Sequence, residues 1–473
     1  MSHVVHTDRL VDEQRIGSFH IKLLVLSWLA MFADGYDISA LSFAAPELVR
    51  QWGVPSEAFK VAFSASLFGV LFGAPLLGYI GDRFGRRKAI LLGSVIFGVC
   101  TLAMVWTTSL GQMAVLRFLT GIGIGGLMPN TISLNSEMSP RRWRATLVVL
   151  MFTGITLGSG MPGPVAGWLV PEYGWQILFV IGGAVPLTFA VVLFFALPES
   201  VKFLARHPSR RAQLLKTARR MRPDLQLPDD AQFVIEQPVA AAASTNGDFL
   251  GLREIFKGGL AFITPLLWVC FGTTLMANYF LNSWLPLIFE SNGITPKQAA
   301  IASTLYHFGG TIGGIVVSVL LNRFGFAAIA ALFALAAPAI AAIGFEGLST
   351  TTLTYVSGFA GLAVLGAQFG NNACSGLIYP TEARSQGVGW ALGIGRIGSI
   401  VGPYVGGVLI GMNIPMNELF LWASLPMVLG LVAATLVARL CYKRFRGFTL
   451  DDRPAESDAG ARAAGTKQLE AAR

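Results

Sequence analysis

Charge is scarce in this chain: only 13% of its 473 residues are Asp, Glu, Lys or Arg. That is about half of what a soluble globular chain carries. The scarcity excludes a soluble enzyme or a nucleic-acid-binding domain as the main body. Cysteine is sparse as well. Cys100, Cys270, Cys374 and Cys441 lie in or beside apolar runs without any Cys-x-x-Cys spacing. They read as small buried hydrophobes, so neither a disulfide framework nor a metal or cofactor site is expected. Of five histidines, His3, His6, His20 and His207 are scattered through tails and loops, which gives an enzyme no nucleophile–base or metal cluster. The first 18 residues lack a basic–apolar–small cleavage pattern, so the first apolar run is expected to stay in place as a helix.

What the chain has instead is apolar length. Apolar residues make up 53% of it, enough for about a dozen crossings at ~20 residues each. Runs unbroken by charge fall at 20–45, 58–80, 89–107, 110–136, 145–169 and 175–197, and again at 260–285, 298–321, 326–345, 351–378, 386–410 and 418–440. The expectation is an all-α polytopic membrane protein with twelve transmembrane helices in two six-helix bundles. The parts are an N-terminal tail (1–19), a first bundle (20–198), a polar linker (199–258), a second bundle (259–440) and a C-terminal tail (441–473). Glycine is abundant, with 54 residues, as suits closely approaching helices.

Cations orient the chain. Arg83, Arg86, Arg87 and Lys88, then Arg141, Arg142 and Arg144, the linker from Lys202 to Lys257, and Lys443, Arg444 and Arg446 would all share one side. The opposite loops hold only Arg50, Lys60 and Lys297. By the positive-inside rule both termini and the linker are cytoplasmic. Within the linker, Arg206 to Arg222 could form a basic helix on the anionic inner leaflet or a solvated tether. The last ~25 residues have a disordered composition.

The two halves align at an offset of 240. Asp82-Arg83-Phe84-Gly85 falls on Asn322-Arg323-Phe324-Gly325, and Phe68, Gly69 and Gly73 fall on Phe308, Gly309 and Gly313. Arg144 falls on Arg384, and Gly158-Ser159 on Gly398-Ser399. Matches at one offset argue for duplication of a six-helix unit. Two parallel six-helix halves around a site near mid-membrane is a transporter plan, in which one half rocks against the other.

Between the second and third runs stand Gly78, Gly81, Asp82, Arg83, Phe84, Gly85, Arg86, Arg87 and Lys88. Gly78 and Gly85 permit tight turns, and the arginines anchor at the interface. Asp82, read as the start of span three, suits a helix N-terminus and can pair with cations of the other half. An ion pair present in one packing only is a latch for that state. Glu137, Arg144, Glu382 and Arg384, at helix ends on the same side, suit ion pairs between the halves. The loop resembles the signature of the major facilitator superfamily. Arg117 with Gly121, Gly123 and Gly125 is similar to that superfamily's span-four pattern. Pro198-Glu199-Ser200 and the glycines from Gly398 to Gly407 with Pro403 also resemble it. The resemblance covers 20–440 and implies the major facilitator fold, with Gly78 to Lys88 in gating.

A charge at mid-bilayer is costly, so each is a functional candidate. Asp34 lies roughly 18 Å along the first helix, and Asp37 a turn further. Their spacing puts both on one helical face, where two close carboxylates cannot easily both ionise, as a proton-coupling site requires. Arg396 sits at a similar depth in the second half, and its planar guanidinium fits a carboxylate with two hydrogen bonds. It either binds an anionic substrate or serves as permanent partner of an aspartate. Arg117 either tunes a span-one aspartate or holds its half together. His307 is either a titrating group or a packing residue. Asn278, Tyr306, Gln368 and Asn371 are further polar candidates.

Asp34-Gly35-Tyr36-Asp37 with Ala45-Pro46 resembles the span-one signature of aromatic acid:proton symporters, a bacterial branch of the superfamily. Tyr279 to Pro286, Tyr379 to Trp390, Gly393 to Gly398 and Tyr306-His307-Phe308-Gly309-Gly310 are similar to that branch too. The resemblance implies proton-coupled import of a benzoate-like or hydroxybenzoate-like anion across the inner membrane by a monomer. It implies transport roles for Asp34, Asp37, Arg117, His307, Arg384 and Arg396. Asn322, where many relatives place an acid, departs from the pattern. A proton symporter of an aliphatic acid or a sugar is the alternative, although a neutral sugar gives Arg396 no task. An efflux antiporter, a sensor or a membrane enzyme fits less well.

Overall fold

The computed structural model describes residues 4–14, 16–223, 225, 228, 232–234, 255–256, 260–379 and 384–445. Among them, twelve helices are long and apolar enough to cross a membrane. The first six are Ser18–Trp52, Ser56–Phe84, Arg86–Trp106, Leu110–Met138, Arg142–Tyr173 and Gln176–Ala196. The second six are Leu260–Ser291, Pro296–Leu321, Phe326–Ile343, Thr350–Ser375, Gln386–Gly411 and Met416–Tyr442. Helices are the form that satisfies every backbone group inside a bilayer without a partner strand. Phe195, Phe262 and Val319 accordingly stand largely exposed on the outer surface, where lipid would cover them.

Several helices outlast the apolar runs that mark them. Span one continues from residue 45 to Trp52, carrying Glu47 and Arg50 on turns beyond the apolar stretch, and stops at Gly53 with φ 61°. Span five is two helices, Arg141–Gly160 and Pro162–Tyr173. Pro162 has no N–H to continue the first, so the helical hydrogen bonding is interrupted there.

The internal repeat is visible in the packing. A Cβ on Gly69 would meet the Phe118 carbonyl at 2.1 Å, and one on Gly309 the Gly358 carbonyl at 1.9 Å. Gly73 stands likewise against Ile122 (2.2 Å) and Gly313 against Leu362 (2.1 Å). Gly158 against Phe32 and Gly398 against Gly272 repeat the match, both at 2.1 Å. In each case both partners are shifted by the same 240 residues. The chain folds as two pseudo-symmetric six-helix bundles in which backbones touch where a side chain would not fit.

Twelve crossings bring the chain back to the side on which it entered. Between described residues, the hydrogen bonds joining the halves run from mid-membrane to the side away from the termini. Ser39 donates to Asn282 Oδ1 (2.8 Å), Asn282 to the Ile38 carbonyl (3.2 Å) and Ser64 to the Ile400 carbonyl (3.1 Å). Thr304 donates to the Gly160 carbonyl (3.2 Å) and Thr311 to Thr156 (2.9 Å). Further out, Phe63 meets Trp284 edge-on, and Arg50 pairs with Glu290 at 2.9 Å. The far side is closed.

The N-terminal segment is more than a polar tail. Val4–His6 pairs in parallel with Gln232–Val234 of the linker, followed by a short helix, Thr7–Asp12. Gln14 donates to the Met138 carbonyl at the end of span four (2.8 Å). The linker helix Arg211–Met221 turns Leu214, Leu215, Ala218 and Met221 into one buried cluster with Leu10, Val11 and Leu204. Its apolar face is therefore covered by protein, so it neither lies on the leaflet through that face nor hangs free as a tether. The C-terminal tail from residue 446, most of the linker from residue 224 and Glu382 lie outside the described residues, as do the side chains of Arg384 and Asn322.

Candidate functional site

Lipid gives an intramembrane charge no solvent, so each must find a partner or lose its charge. Asp37 has partners. Arg117 from span four pairs with its Oδ2 at 2.7 Å and also donates to its backbone carbonyl (3.1 Å). Thr101 from span three donates to Oδ1 (3.1 Å). The carboxylate is fully buried inside the first bundle, which leaves it no face open to a substrate in this conformation.

Asp34 differs. Its Oδ1 is buried without a hydrogen-bond partner among the described residues. The charge that acts on it most strongly is Arg396 of the other half, ahead of Asp37. Half-buried Arg396 reaches across to the Met128 sulfur of span four (3.5 Å). Tyr279 of span seven is buried beside Arg396 and feels the charge of Asp34 as well. Tyr279 packs with Leu67 and Leu275, flanked by Ile38 and Ile400. Asp34 thus lies within electrostatic reach of a cation of the other half, and a phenol and an apolar wall stand beside that cation.

His307 is buried, with Nε2 3.5 Å from the Ser39 hydroxyl, and so belongs to the Ser39–Asn282 contact across the halves. Tyr306 donates to Asn278 (2.8 Å), and Asn371 to Thr274 (3.2 Å), both within the second half. Gln368 Oε1 is buried without a partner among the described residues.

On the termini side, the described gating candidates of the first half pair with groups of that half or of the N-terminal segment. Asp82 lies in the last turn of span two, not at the start of span three, and its partner is Arg86 one turn on. Arg86 also pairs with Glu137 at 3.2 Å, and Glu137 accepts from the Ser200 hydroxyl. Arg83 donates to Tyr79 (2.6 Å), Arg87 to the Phe194 carbonyl, and Arg144 pairs with Asp12 at 3.5 Å. Gly85 carries the turn, with φ 113°, while Gly78 is helical with open space around it and turns nothing. Glu199 is buried against Gly85, and its Oε1 accepts from the backbone N–H of Arg87 (3.3 Å) and Ser200 (3.0 Å). Burial pushes its carboxyl above the usual range, and those backbone donors act the other way.

Sequence reasoning missed the contacts of Ser39, Asn282, Thr101 and Glu290 with residues of the candidate site or across the halves. Arg50 and Glu290 stand 240 residues apart, so the repeat itself was a signal for that pair. The uncharged three carry none in composition.

The Major Facilitator Superfamily profile matches residues 27–370 and 267–471. The chain is 35% identical over 430 residues to the 4-hydroxybenzoate transporter PcaK of Pseudomonas putida, covering 89% of this chain and 93% of that one. It is 32% identical to the gallate transporter of Pseudomonas putida (88% and 91% covered). It is also 32% identical to the benzoate transport protein of Acinetobacter baylyi (92% and 93%). Among solved structures, a D-xylose-proton symporter superimposes with a TM-score of 0.68 at 16% identity, covering 89% of this chain and 98% of that one. An inward-facing bacterial homologue of Spinster gives 0.65 at 17% identity, with 93% and 100% covered.

Proposed function

Because the chain belongs to the Major Facilitator Superfamily, alongside transporters of hydroxybenzoate, gallate and benzoate, we propose that it imports an aromatic carboxylate with protons by alternating access. Membership makes it a multi-pass membrane transporter rather than an enzyme. The finer reading places both termini in the cytoplasm of a bacterial cell, with the chain working as a monomer in the inner membrane. The far side is then periplasmic, and the conformation described is inward-facing.

The observation that carries the reading is the division between two acids: Arg117 holds Asp37, while Asp34 keeps a buried Oδ1 without a partner among the described residues and lies within electrostatic reach of Arg396 of the other half. A substrate carboxylate would take the Arg396 guanidinium, which offers it two parallel hydrogen bonds. Asp34 would then lose the Arg396 charge that opposes its own. In a low dielectric an uncompensated carboxyl is held neutral by a proton, so anion and proton bind together. Release of the anion toward the cytoplasm returns Arg396 to Asp34, and the proton leaves. Leu67, Leu275 and Tyr279 offer the apolar wall that a ring requires.

The energetics follow from charge. One anion entering against an inside-negative potential costs ~2.3 kcal/mol per 100 mV, one accompanying proton cancels that, and a second makes entry favourable.

The test is uptake of labelled 4-hydroxybenzoate, benzoate, gallate, an aliphatic acid and xylose by proteoliposomes under an imposed inward proton gradient. Accumulation of aromatic acids, abolished by a protonophore, is expected. Accumulation of the aliphatic acid or the sugar in preference to every aromatic acid would overturn the substrate class.

A further inference from the structure

The second half carries a groove that the first half fills with protein. It measures about 980 Å³ and opens between spans seven, nine and twelve at their termini-side ends. Ala261 and Ala330 are among its small lining residues, Phe262 and Leu436 stand exposed along it, and Arg439 is the one cation in its lining. Leu266 and Ala330, which line it, correspond at the 240-residue offset to Leu26 and Ile90. Those two are buried in one cluster with Leu204 and Leu214 of the post-span-six segment and linker helix. The first half thus supplies its own cover at this place. In the second half the described linker residues Ile255 and Phe256 pack on span seven, but neither lines this groove.

Arg439 is exposed, and no acid among the described residues pairs with it. It lies about 9 Å, six helical residues, from the termini-side end of Met416–Phe445. A long basic side chain at that depth extends its charge to the headgroup level while its stem stays in the apolar layer. Tyr442, one turn on, lines the same groove and suits the interface belt where aromatic hydroxyls meet headgroups.

We propose that this groove is a binding site for an anionic phospholipid of the termini-side leaflet, with acyl chain along Phe262 and Leu436 and phosphate on Arg439. The groove is apolar apart from Thr435 and Tyr442 and has a single cation, Arg439, in its lining, which is the charge pattern of such a lipid. A bound lipid there does for the second bundle what residues 201–221 do for the first: it fills the space between three helix ends.

Native mass spectrometry of the full chain, titrated with phosphatidylglycerol or phosphatidylcholine of identical acyl chains, tests this. Phosphatidylglycerol should be retained in preference. Arg439→Gln should reduce its retention about fivefold, the worth of one basic group at an anionic surface, and leave phosphatidylcholine unchanged. Ala330→Trp should reduce both lipids by filling the groove; should that variant not fold, Arg439→Gln alone decides. Equal retention of the two lipids, or unchanged retention by Arg439→Gln, overturns the site. So does a photo-crosslinker at Leu436 that captures a second copy or the chain's own C-terminal tail in place of lipid.

Discussion

Arg50 and Glu290 occupy equivalent positions of the two repeats and pair with each other at 2.9 Å on the face away from the termini. Glu47 joins them from the same turn as Arg50, at 2.6 Å. Residues related by a pseudo-twofold can touch only close to its axis, so this pair marks where the halves meet when that face is shut. On the proposed alternating-access cycle it must break when the face opens, and it would then act as a latch for the conformation described here. Arg50 is half exposed, so the latch is worth at most ~1 kcal/mol, a population shift of no more than ~fivefold. Glu290→Gln should therefore speed labelling of a single cysteine at Ser39 by a far-side impermeant maleimide, by a few-fold. Unchanged labelling would show that the pair does not hold the face closed.

The Asp37–Arg117 pair has different stakes. Both side chains are buried, at 0% and 3% exposure. Removing one partner leaves the other charge uncompensated, at a typical cost of ~3–5 kcal/mol. Arg117→Gln should lower the melting temperature in detergent sharply, and Arg117→Gln combined with Asp37→Asn should recover much of it. A double variant no more stable than Arg117→Gln alone would mean that the loss came from packing and not from the orphaned charge.

How much of this site was legible in the sequence depends on what the bilayer penalises. Asp34, Asp37, Arg117 and Arg396 stood out because charges at that depth are rare and expensive. Their division of labour did not. Residues three apart on a helix differ by ~60° around its axis, and with that angle Asp37 meets Arg117 and Thr101 of its own bundle while Asp34 meets neither. Ser39 and Asn282 were invisible because uncharged polar side chains are tolerated widely in membrane helices, and only distance reveals a pair 243 residues apart. The repeat could be read at the level of glycines because a glycine backbone contact leaves no room for drift. The N-terminal strand could not, since Val4–His6 becomes regular only through Gln232–Val234, a partner that no local pattern announces.

If Asp34 carries the exchangeable proton and Arg396 the anion, the two should fail differently. Asp34→Asn mimics the protonated acid permanently. It should abolish proton-driven accumulation yet keep exchange of labelled for unlabelled substrate, which needs no net proton movement. Arg396→Ala should raise KM for exchange and uptake alike, by about tenfold or more, as loss of a charge-assisted pair implies. Arg396→Lys should recover little, because an ammonium cannot reproduce a planar two-bond grip. Accumulation by Asp34→Asn at the wild-type level would assign proton coupling elsewhere.

Gly85 and Gly78 sit in the same loop motif, yet substitution of each should act in opposite directions. Gly85 has φ 113° and ψ 146°, a region essentially reserved for glycine. A Cβ there would also stand 2.1 Å from Glu199 Oε2. Gly85→Ala must therefore strain the turn and displace the buried carboxyl that receives the Arg87 and Ser200 backbone N–H groups. The backbone strain costs ~1–2 kcal/mol and the lost hydrogen bonds ~1–3 kcal/mol more. Gly78 is a helical residue, and a methyl group added there would meet nothing within 4 Å. At that position alanine gains ~0.5–1 kcal/mol of helix propensity at no steric cost. Thermal unfolding in detergent should fall clearly for Gly85→Ala and hold or rise for Gly78→Ala, with transport following the same order. Equal loss in both would mean that the motif needs glycine at Gly78 for a conformation other than this one.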